Sequence, residues 1–501
     1  MITLQYGYEI KYFADIMYNF FIELVTNEWY LFILFFSSII VLISLSELAL
    51  KQRLWTNNTN RKIIHITVGI AVSITPHIFI TNIQPALLAF IFFILNLFSY
   101  KNNKLKSFHS IGRDSYGTIF FPLSYLLICI PFWDYPEHIT ISMMILAIAD
   151  PFASIIGNIT KKPISYNILG DQKTLLGSIG MFACSTIIVF ILSNYFFNDW
   201  DIGFRIIAVI SIGLAVTLAE ALSYKGSDNL TIPVISFLFI ELFNHLNQND
   251  NMIKYYLVIP IIIFILFIAY SRKHLSISGF IGASIMGILL FGFGGEAYLY
   301  PLVIFFITSS ILSQFKKNNI EIKHSNRSIS QVYANGGVAL IICIINYFFN
   351  HPLMYPCFLA SVAAANSDTW GTELGKMSSK IPLDIISGQK VISGDSGGIT
   401  LVGTIGSILG SSLIGLLGYS HGLEIKTIII VIIAGFLSSI IDSILGSTVQ
   451  ARHISKDGII ITEKYKKSFY LYTGSKNINN DIVNLYCTLA GPLVFLLYSI
   501  R

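Results

Sequence analysis

Residues 139–158 read ITISMMILAIADPFASIIGN. The run is apolar for long enough to cross a hydrocarbon core, which takes about 17–25 residues. Yet it carries a carboxylate, Asp150, toward one end, followed directly by Pro151. An ionisable side chain inside such a run costs about 2.5–3.5 kcal/mol on insertion scales, so its default reading is functional. Similar apolar runs recur along all 501 residues, of which 54% are hydrophobic, 14% aromatic and 12% charged. That composition excludes a soluble globular protein. The expected fold is an all-α polytopic membrane protein of about 16 transmembrane helices, the first covering Trp29–Leu50 and the last Ile482–Ser499. Two related helical-bundle halves are expected, over residues 29–250 and 251–501, after an N-terminal segment 1–28. That segment lacks a basic start followed by a compact apolar core, so no cleavable signal peptide is expected. Its Phe13, Ile16, Met17, Phe20, Phe21 and Leu24 suit an amphipathic helix lying at the interface.

The net charge is +5, and its distribution says more than its size. Basic residues gather in alternate loops: Arg61 and Lys62, Lys101 to Arg113, Lys161 to Lys173, Arg272 and Lys273, Lys316 to Arg327, Lys376 to Lys390, and Arg452 to Lys476. The intervening loops are neutral or acidic. Positive loops stay in the cytosol, so both termini are expected outside and the basic loops inside. Charges spread over many short loops argue against nucleic-acid binding. The five cysteines sit in apolar spans without Cys-x-x-Cys spacing, which argues against a disulfide framework or a zinc site.

The same order of polar motifs occurs twice. The first set is Asp150-x6-Gly157, Lys173-Thr174-x2-Gly177-x2-Gly180, Glu220 and Asp228-Asn229. The second is Asp368-x6-Gly375 with Glu373, Ser393-Gly394-x3-Gly398 with Ser396, Gly403-x2-Gly406, Asp442 with Gln450, and Asp481-x2-Asn484. Arg61, His65 and Gly69 recur every fourth residue, as do Arg327, Gln331 and Asn335, which places each trio on one helical face. On the expected topology every motif reaches the cytosolic side, where nucleotides are. Taken singly, a span-end carboxylate is an ordinary solvated helix terminus, paired glycines are helix-packing residues, and Arg61 and Lys62 are positive-inside residues. Shared order, spacing and side single them out.

These residue types suit phosphoryl transfer, which needs a metal between phosphate oxygens, cations on the developing charge and a positioned acceptor hydroxyl. Carboxylates and Asn carbonyls are the hard ligands that Mg²⁺ takes. Asp150, Asp228, Asp368, Asp442 and Asp481 are therefore the expected metal ligands, with Lys173, Glu220 and Glu373 completing the catalytic set. Glycine-rich helix starts at Gly177–Gly180 and Ser393–Gly398 offer backbone N–H groups to anions. Arg61, His65, Thr174, Asn229, Arg327, Gln331, Asn335, Gln450 and Asn484 are the further nucleotide-binding candidates. Gly170-Asp171-Gln172-Lys173-Thr174 lacks the Walker A spacing.

Over Trp29–Leu246 the chain resembles the phytol kinase and dolichol kinase family of CTP-dependent polyprenol kinases. The matching pieces are Arg61-Lys62-x2-His65-x3-Gly69, Tyr116-Gly117-x3-Phe121-Pro122, Asp150-x2-Ala153-x3-Gly157 and Lys173-Thr174-x2-Gly177-Ser178, with Glu220 and Asp228-Asn229. It departs from the family at Ala149-Asp150-Pro151, where glycine often precedes the aspartate. Over Tyr255–Arg501 the chain resembles the transmembrane protein 19-like family that contains the plant phytyl phosphate kinase. That match rests on Ser278-Gly279-x2-Gly282-Ala283, Arg327-x3-Gln331-Val332-x2-Asn335-Gly336-Gly337, Asn366-Ser367-Asp368-Thr369-x3-Glu373-x-Gly375, Ser393-Gly394-x3-Gly398-x4-Gly403, Asp442-Ser443-x2-Gly446-x3-Gln450 and Asp481-x2-Asn484. The resemblances imply a bifunctional multi-pass enzyme that converts a phytol-like isoprenoid alcohol to its monophosphate and then its diphosphate, with CTP as donor. A CTP-dependent lipid cytidylyltransferase and a repeat-containing transporter are the competing readings; a transporter would keep its polar residues nearer the midplane.

Overall fold

The computed structural model describes residues 27–101, 115–249, 252–313, 326–455, 461–462 and 469–499. The expected interfacial helix over 1–28 lies, but for its last two residues, outside the described residues. The chain divides into two compact units, Met1–Asn249 and Asp250–Arg501.

In the first unit the helices are α1 (Glu28–Lys51), α2 (Asn57–Ser73), α3 (Ile83–Lys101), α4 (Gly117–Cys129), α5 (Pro136–Gly157), α6 (Leu175–Phe196), α7 (Ile202–Ala221) and α8 (Asp228–Gln248). The second unit holds α9 (Met252–Ser271), α10 (Ile277–Leu312), α11 (Ile329–Phe349), α12 (Met354–Met377), α13 (Leu401–Leu416), α14 (Ile425–Thr448) and α15 (Asn480–Ser499). Among the described residues, 12 helices are long and apolar enough to cross a membrane. The exceptions are α2 at 17 residues, α4 at 13, and α12, which is long but more polar.

Helix α10 runs for 36 residues but breaks at Gly295, whose φ of 64° and ψ of −153° are open only to glycine. Past the break the chain comes back on itself. Arg327 forms a bridge with Leu275, and the Ser276 N–H donates to its carbonyl at 3.0 Å, at the level where α10 begins. The all-α polytopic fold is as expected, but the count of about sixteen spans is approximate: 12 of the 15 described helices are of spanning length and composition, with α10 reversing within itself.

Uniformly apolar helices are sorted by burial. Only 17% of the most apolar stretch of α1 is buried against 61% for α5 and 72% for α10, so α1 turns its surface to lipid while the other two are interior. Short hairpins close the polar ends. In the first unit β1 (Ser165–Asn167) pairs antiparallel with β2 (Gln172–Thr174). In the second, β3 (Leu383–Asp384) pairs with β4 (Gly398–Ile399), and β5 (Arg452–Ile454) lies between β6 (Ile461–Thr462) and β7 (Tyr470–Thr473).

Helix α12 is the core of the second unit, with Ala360, Ala363 and Ala364 fully buried. Its neighbours approach backbone to backbone because they present glycine. A Cβ added at Gly410 of α13 would meet the Asn366 carbonyl oxygen at 2.8 Å, one at Gly435 of α14 would meet Ala363, and one at Gly491 of α15 would meet Ala360. Such close approach is how helices associate in lipid, where no hydrophobic force drives them together. Gly491→Ala is therefore expected to cost about 1–3 kcal/mol by overpacking a backbone that cannot yield. Leu497→Ala, at a side chain 70% exposed, should stay within about 0.5 kcal/mol. Thermal unfolding of both variants in detergent checks the difference.

Candidate functional site

At one end of the first unit, four elements bring separated polar residues together. Asp150 lies in α5, just past a π-helical turn over Ile145–Ala149. Strand β2 delivers Lys173, α7 ends beside Glu220, and α8 begins at Asp228. The Lys173 Nζ lies 2.6 Å from Glu220 Oε1 and 3.6 Å from Asp228 Oδ2. Burial pulls the ammonium toward neutrality, but Glu220 and Asp228 outweigh it and raise its pKa above the ordinary lysine value. Asp228 also accepts from the Asn229 backbone and side-chain N–H groups at 3.0 Å each.

These groups open on a cavity of about 830 Å³. Arg61, Lys62, Asp150, Lys173, Asp228 and Asn229 line its polar end. Beyond them it follows one face of α2 through His65, Val68 and Val72 to Thr75, with Leu88 and Phe92 of α3 alongside. At the far end the buried Tyr125 hydroxyl is hydrogen-bonded to Thr75 Oγ1 at 2.6 Å. One space thus joins a charged mouth to an apolar interior.

Other expected residues have local duties here. Thr174 caps α6 by accepting from the Gly177 N–H at 3.1 Å. A Cβ at Gly157 would meet Thr174 Oγ1 at 2.5 Å and Gly177 Cα at 3.3 Å, so these glycines let α5 and α6 touch. His65 Nε2 lies 2.9 Å from the Leu146 carbonyl oxygen and 4.0 Å from Asp150 Oδ2. Three lining residues escaped sequence reasoning. Lys225, at positive φ of 50°, holds the turn before α8: its N–H donates to Asp171 Oδ2 at 2.8 Å and its carbonyl accepts from the Tyr116 N–H at 2.8 Å. Ser115 lies under Gly226 of the same turn, and Tyr125 reads as an ordinary aromatic of a span. The signal for the first was the Tyr224-Lys225-Gly226-Ser227 turn between two acidic residues.

In the second unit the Asp368 and Asp442 side chains are hydrogen-bonded to each other, in the interior between α12 and α14. The Lys376 Nζ donates to Glu373 Oε1 at 3.0 Å. Gly394, at φ of 97°, brings the Ser393–Gly398 loop to the Lys376 side chain. Arg452 donates to the carbonyls of Ser396 and Gly446, tying that loop to the end of α14. Gln450, 2% exposed, has both side-chain polar atoms buried without a hydrogen-bond partner. Asp481 accepts from Ser330 Oγ at 2.6 Å, which joins the starts of α11 and α15. Gln331 Oε1 accepts from the Ser328 N–H in a capping box, and the Arg327 guanidinium lies over the Phe306 ring. Asn335 and Asn484 lie on these same two helices, α11 and α15.

Asp384 fastens the base of the loop. Burial favours its neutral form, but donors from Ser387, Ser447 and the Ile386 backbone prevail and hold its pKa down to about 2. A folded pKa below the unfolded value of about 3.9 contributes stability that is full above that pH and is lost as pH falls through the folded value. Acid should therefore loosen residues 385–398 between about pH 4 and pH 2; in Asp384→Asn the amide exchange of this loop should lose that pH step.

Lys173→Met leaves buried Glu220 and half-buried Asp228 beside Asp150 without their cation and should destabilise the protein by about 3–5 kcal/mol. Adding Glu220→Gln should recover much of the loss, as measured by thermal unfolding.

Residues 260–492 match the family described as Integral membrane protein DUF92. An uncharacterized membrane protein of Methanocaldococcus jannaschii is 31% identical over 249 residues, which are 49% of this chain and 94% of that protein. Protein PGR of Arabidopsis thaliana is 29% identical over 218 residues, 37% of this chain and 75% of its own length. A protein named phytol kinase from Synechocystis sp. is 29% identical over 198 residues, 38% of this chain and 82% of that protein. No solved structure matches. By its second unit and by the near-complete coverage of its archaeal relative, the chain belongs to the DUF92 family of integral membrane proteins.

Proposed function

We propose that this protein is a kinase of a lipid-soluble isoprenoid alcohol, with the first unit carrying the reaction. The observation behind this reading is the single cavity that runs from Asp150 and Lys173 into an apolar bore ending at Thr75 and Tyr125. The relative named phytol kinase supports it. In this reading the hydroxyl of the alcohol lies at Asp150, whose carboxylate takes its proton as oxygen attacks the terminal phosphorus of the nucleotide. The bond from that phosphorus to the bridging oxygen breaks, and the nucleoside diphosphate leaves. Lys173 and Arg61 offset charge on the phosphates. The alcohol's chain fills the bore and excludes water from the acceptor.

The residues fit a magnesium ion. Among the described residues no three His, Cys, Asp or Glu side chains form a closed metal cluster, but Mg²⁺ is usually held by one or two carboxylates with phosphates and waters completing its shell. Asp150 and Asp228 open on the same cavity, and buried Glu220 Oε2 has no hydrogen-bond partner. Asp150 and Asp228 would hold the ion, which supplies charge neutralisation between phosphate oxygens.

The finer reading assigns the second unit to the next step, from monophosphate to diphosphate, with CTP as donor in both and both centres facing the cytosol. Asp368, Asp442 and Asp481 would hold its Mg²⁺, and Arg327 and the Ser393–Gly398 loop its phosphates. A substrate that already carries phosphate needs more N–H donors, which this glycine-rich loop offers. Joining two such steps raises the effective concentration of a membrane-bound intermediate.

Purified protein with γ-labelled CTP, tested against prenyl alcohols and their monophosphates, should release CDP and form both products. Release of pyrophosphate would instead mean cytidylyl transfer. Asp150→Asn should lower alcohol phosphorylation by about 10²–10⁴-fold while added monophosphate is still converted. Asp368→Asn should let monophosphate accumulate while diphosphate disappears. Equal loss of both steps in either folded variant would count against two centres.

The bore also sets a length. Ten residues, the last of α2 and the turn after it, separate His65 from Thr75, about 15 Å at the helical rise, which takes an extended main chain of roughly twelve carbons; counted from Arg61 it takes about sixteen. Tyr125→Ala opens the floor and should move the preferred alcohol up by roughly one isoprene unit, read from initial rates across a chain-length series.

A further inference from the structure

We infer that His65 is a positioning residue: it caps the backbone carbonyl that Pro151 leaves without a donor, and so fixes the turn that aims Asp150 into the cavity. The role of Asp150 rests on the function proposed above; the contact itself does not.

Over Ile145–Ala149, α5 is a π-helix. Hydrogen bonds in that geometry run from residue i to residue i+5, so the donor due to the Leu146 carbonyl is the N–H of residue 151. Residue 151 is proline and has none. A buried carbonyl left unpaired is costly, and His65 Nε2 meets this one at 2.9 Å. A carbonyl only accepts, so Nε2 carries the hydrogen. The ring is held edge-on to Phe121, with centroids 5.2 Å apart.

An independent observation shows that α2 is fitted to this turn. One helical turn beyond His65, a Cβ added at Gly69 would meet Ala147 Cβ at 2.5 Å and Ala147 Cα at 3.1 Å. The pattern Arg61-x3-His65-x3-Gly69 thus acquires a physical division. Arg61 lines the mouth, His65 feeds the orphan carbonyl, and Gly69 lets the helices close.

The turn sets the direction of every later side chain in α5. One extra residue in a helix rotates everything beyond by about 100°. The π turn therefore decides whether the Asp150 carboxylate faces the cavity or its wall. His65 Nε2 is 4.0 Å from Asp150 Oδ2, too far for a hydrogen bond, and its hydrogen is already given to Leu146. It orients the carboxylate through the backbone and exchanges no proton with it.

The test uses the full chain in detergent, with peptide-resolved hydrogen exchange over residues 145–157 measured without nucleotide or alcohol. His65→Ala should speed exchange in that segment by about tenfold or more. His65→Gln, whose amide N–H can reach the carbonyl, should return it to within about threefold of the parent. In Pro151→Ala the new N–H can serve Leu146, so adding His65→Ala there should change exchange far less than in the parent. Kinetically, His65→Ala should lower kcat for the alcohol by about 10²-fold, with both KM values nearly unchanged and a pH profile of the same shape. Unaltered exchange in His65→Ala, equal sensitivity in the Pro151→Ala background, or loss of a pH limb would each overturn the inference. A parent that phosphorylates no alcohol would end the kinase reading alone, and the exchange results would still decide the role of His65.

Discussion

One ammonium group held between two carboxylates is the constraint on which the polar end of the first unit depends. Lys173 arrives on a hairpin, Glu220 at the end of one helix and Asp228 at the start of the next, and the 2.6 Å and 3.6 Å separations draw the three elements together. None of these charges could be kept alone so near the apolar bore, because stripping an ion of water costs several kcal/mol and only a well-placed partner offsets it. The balance is incomplete by one atom, Glu220 Oε2, which is buried and unpaired. A site left short of one donor is set to receive one. That is how a stabilising network and a binding surface can be the same residues.

The second unit handles its charges by a different arrangement. Asp368 and Asp442 meet each other directly between α12 and α14. Around them the packing is made of alanine, serine and glycine, and main chains approach where side chains would ordinarily intervene. The loop above is held by main-chain carbonyls to Arg452 and by the Asp384 carboxylate to Ser447. Precision here comes from a rigid backbone and not from long side chains reaching into a cavity.

Much of this was legible in the sequence because membranes penalise error. Apolar runs of spanning length identify helices whatever their neighbours, and a carboxylate persisting in such a run points to itself, as Asp150, Glu220 and Asp228 do. Their meeting with Lys173 across 23, 47 and 55 residues of sequence follows from helices that begin and end at one level. Other features were illegible for equally physical reasons. Lys225 resembles any loop lysine because its contribution is made by its backbone. Gln331 shares a helical face with Arg327 in the sequence, yet its side chain turns back to cap its own helix. Pro151 could be read as a disturbance of α5, but not as a register shift answered by an imidazole on another helix. The break at Gly295, by contrast, is marked in the sequence by the loop-like Gly294-Gly295-Glu296-Ala297 between apolar runs, although hydropathy does not record the sign of φ.

That break has a consequence for sidedness. A helical membrane chain changes side once per crossing, so the faces on which later segments emerge depend on whether the number of earlier crossings is odd or even. By turning one long helix into an out-and-back pair, Gly295 adds one to the count. Helices α12, α14 and α15, which carry Asp368, Asp442 and Asp481, owe their direction across the bilayer to it. No neighbouring atom lies within 4 Å of a side chain built there, so the position has room for any residue and conformation for only one. A single backbone angle, beside the Glu296 that pairs with Lys254 at 3.0 Å, thereby sets the parity of every crossing that follows it.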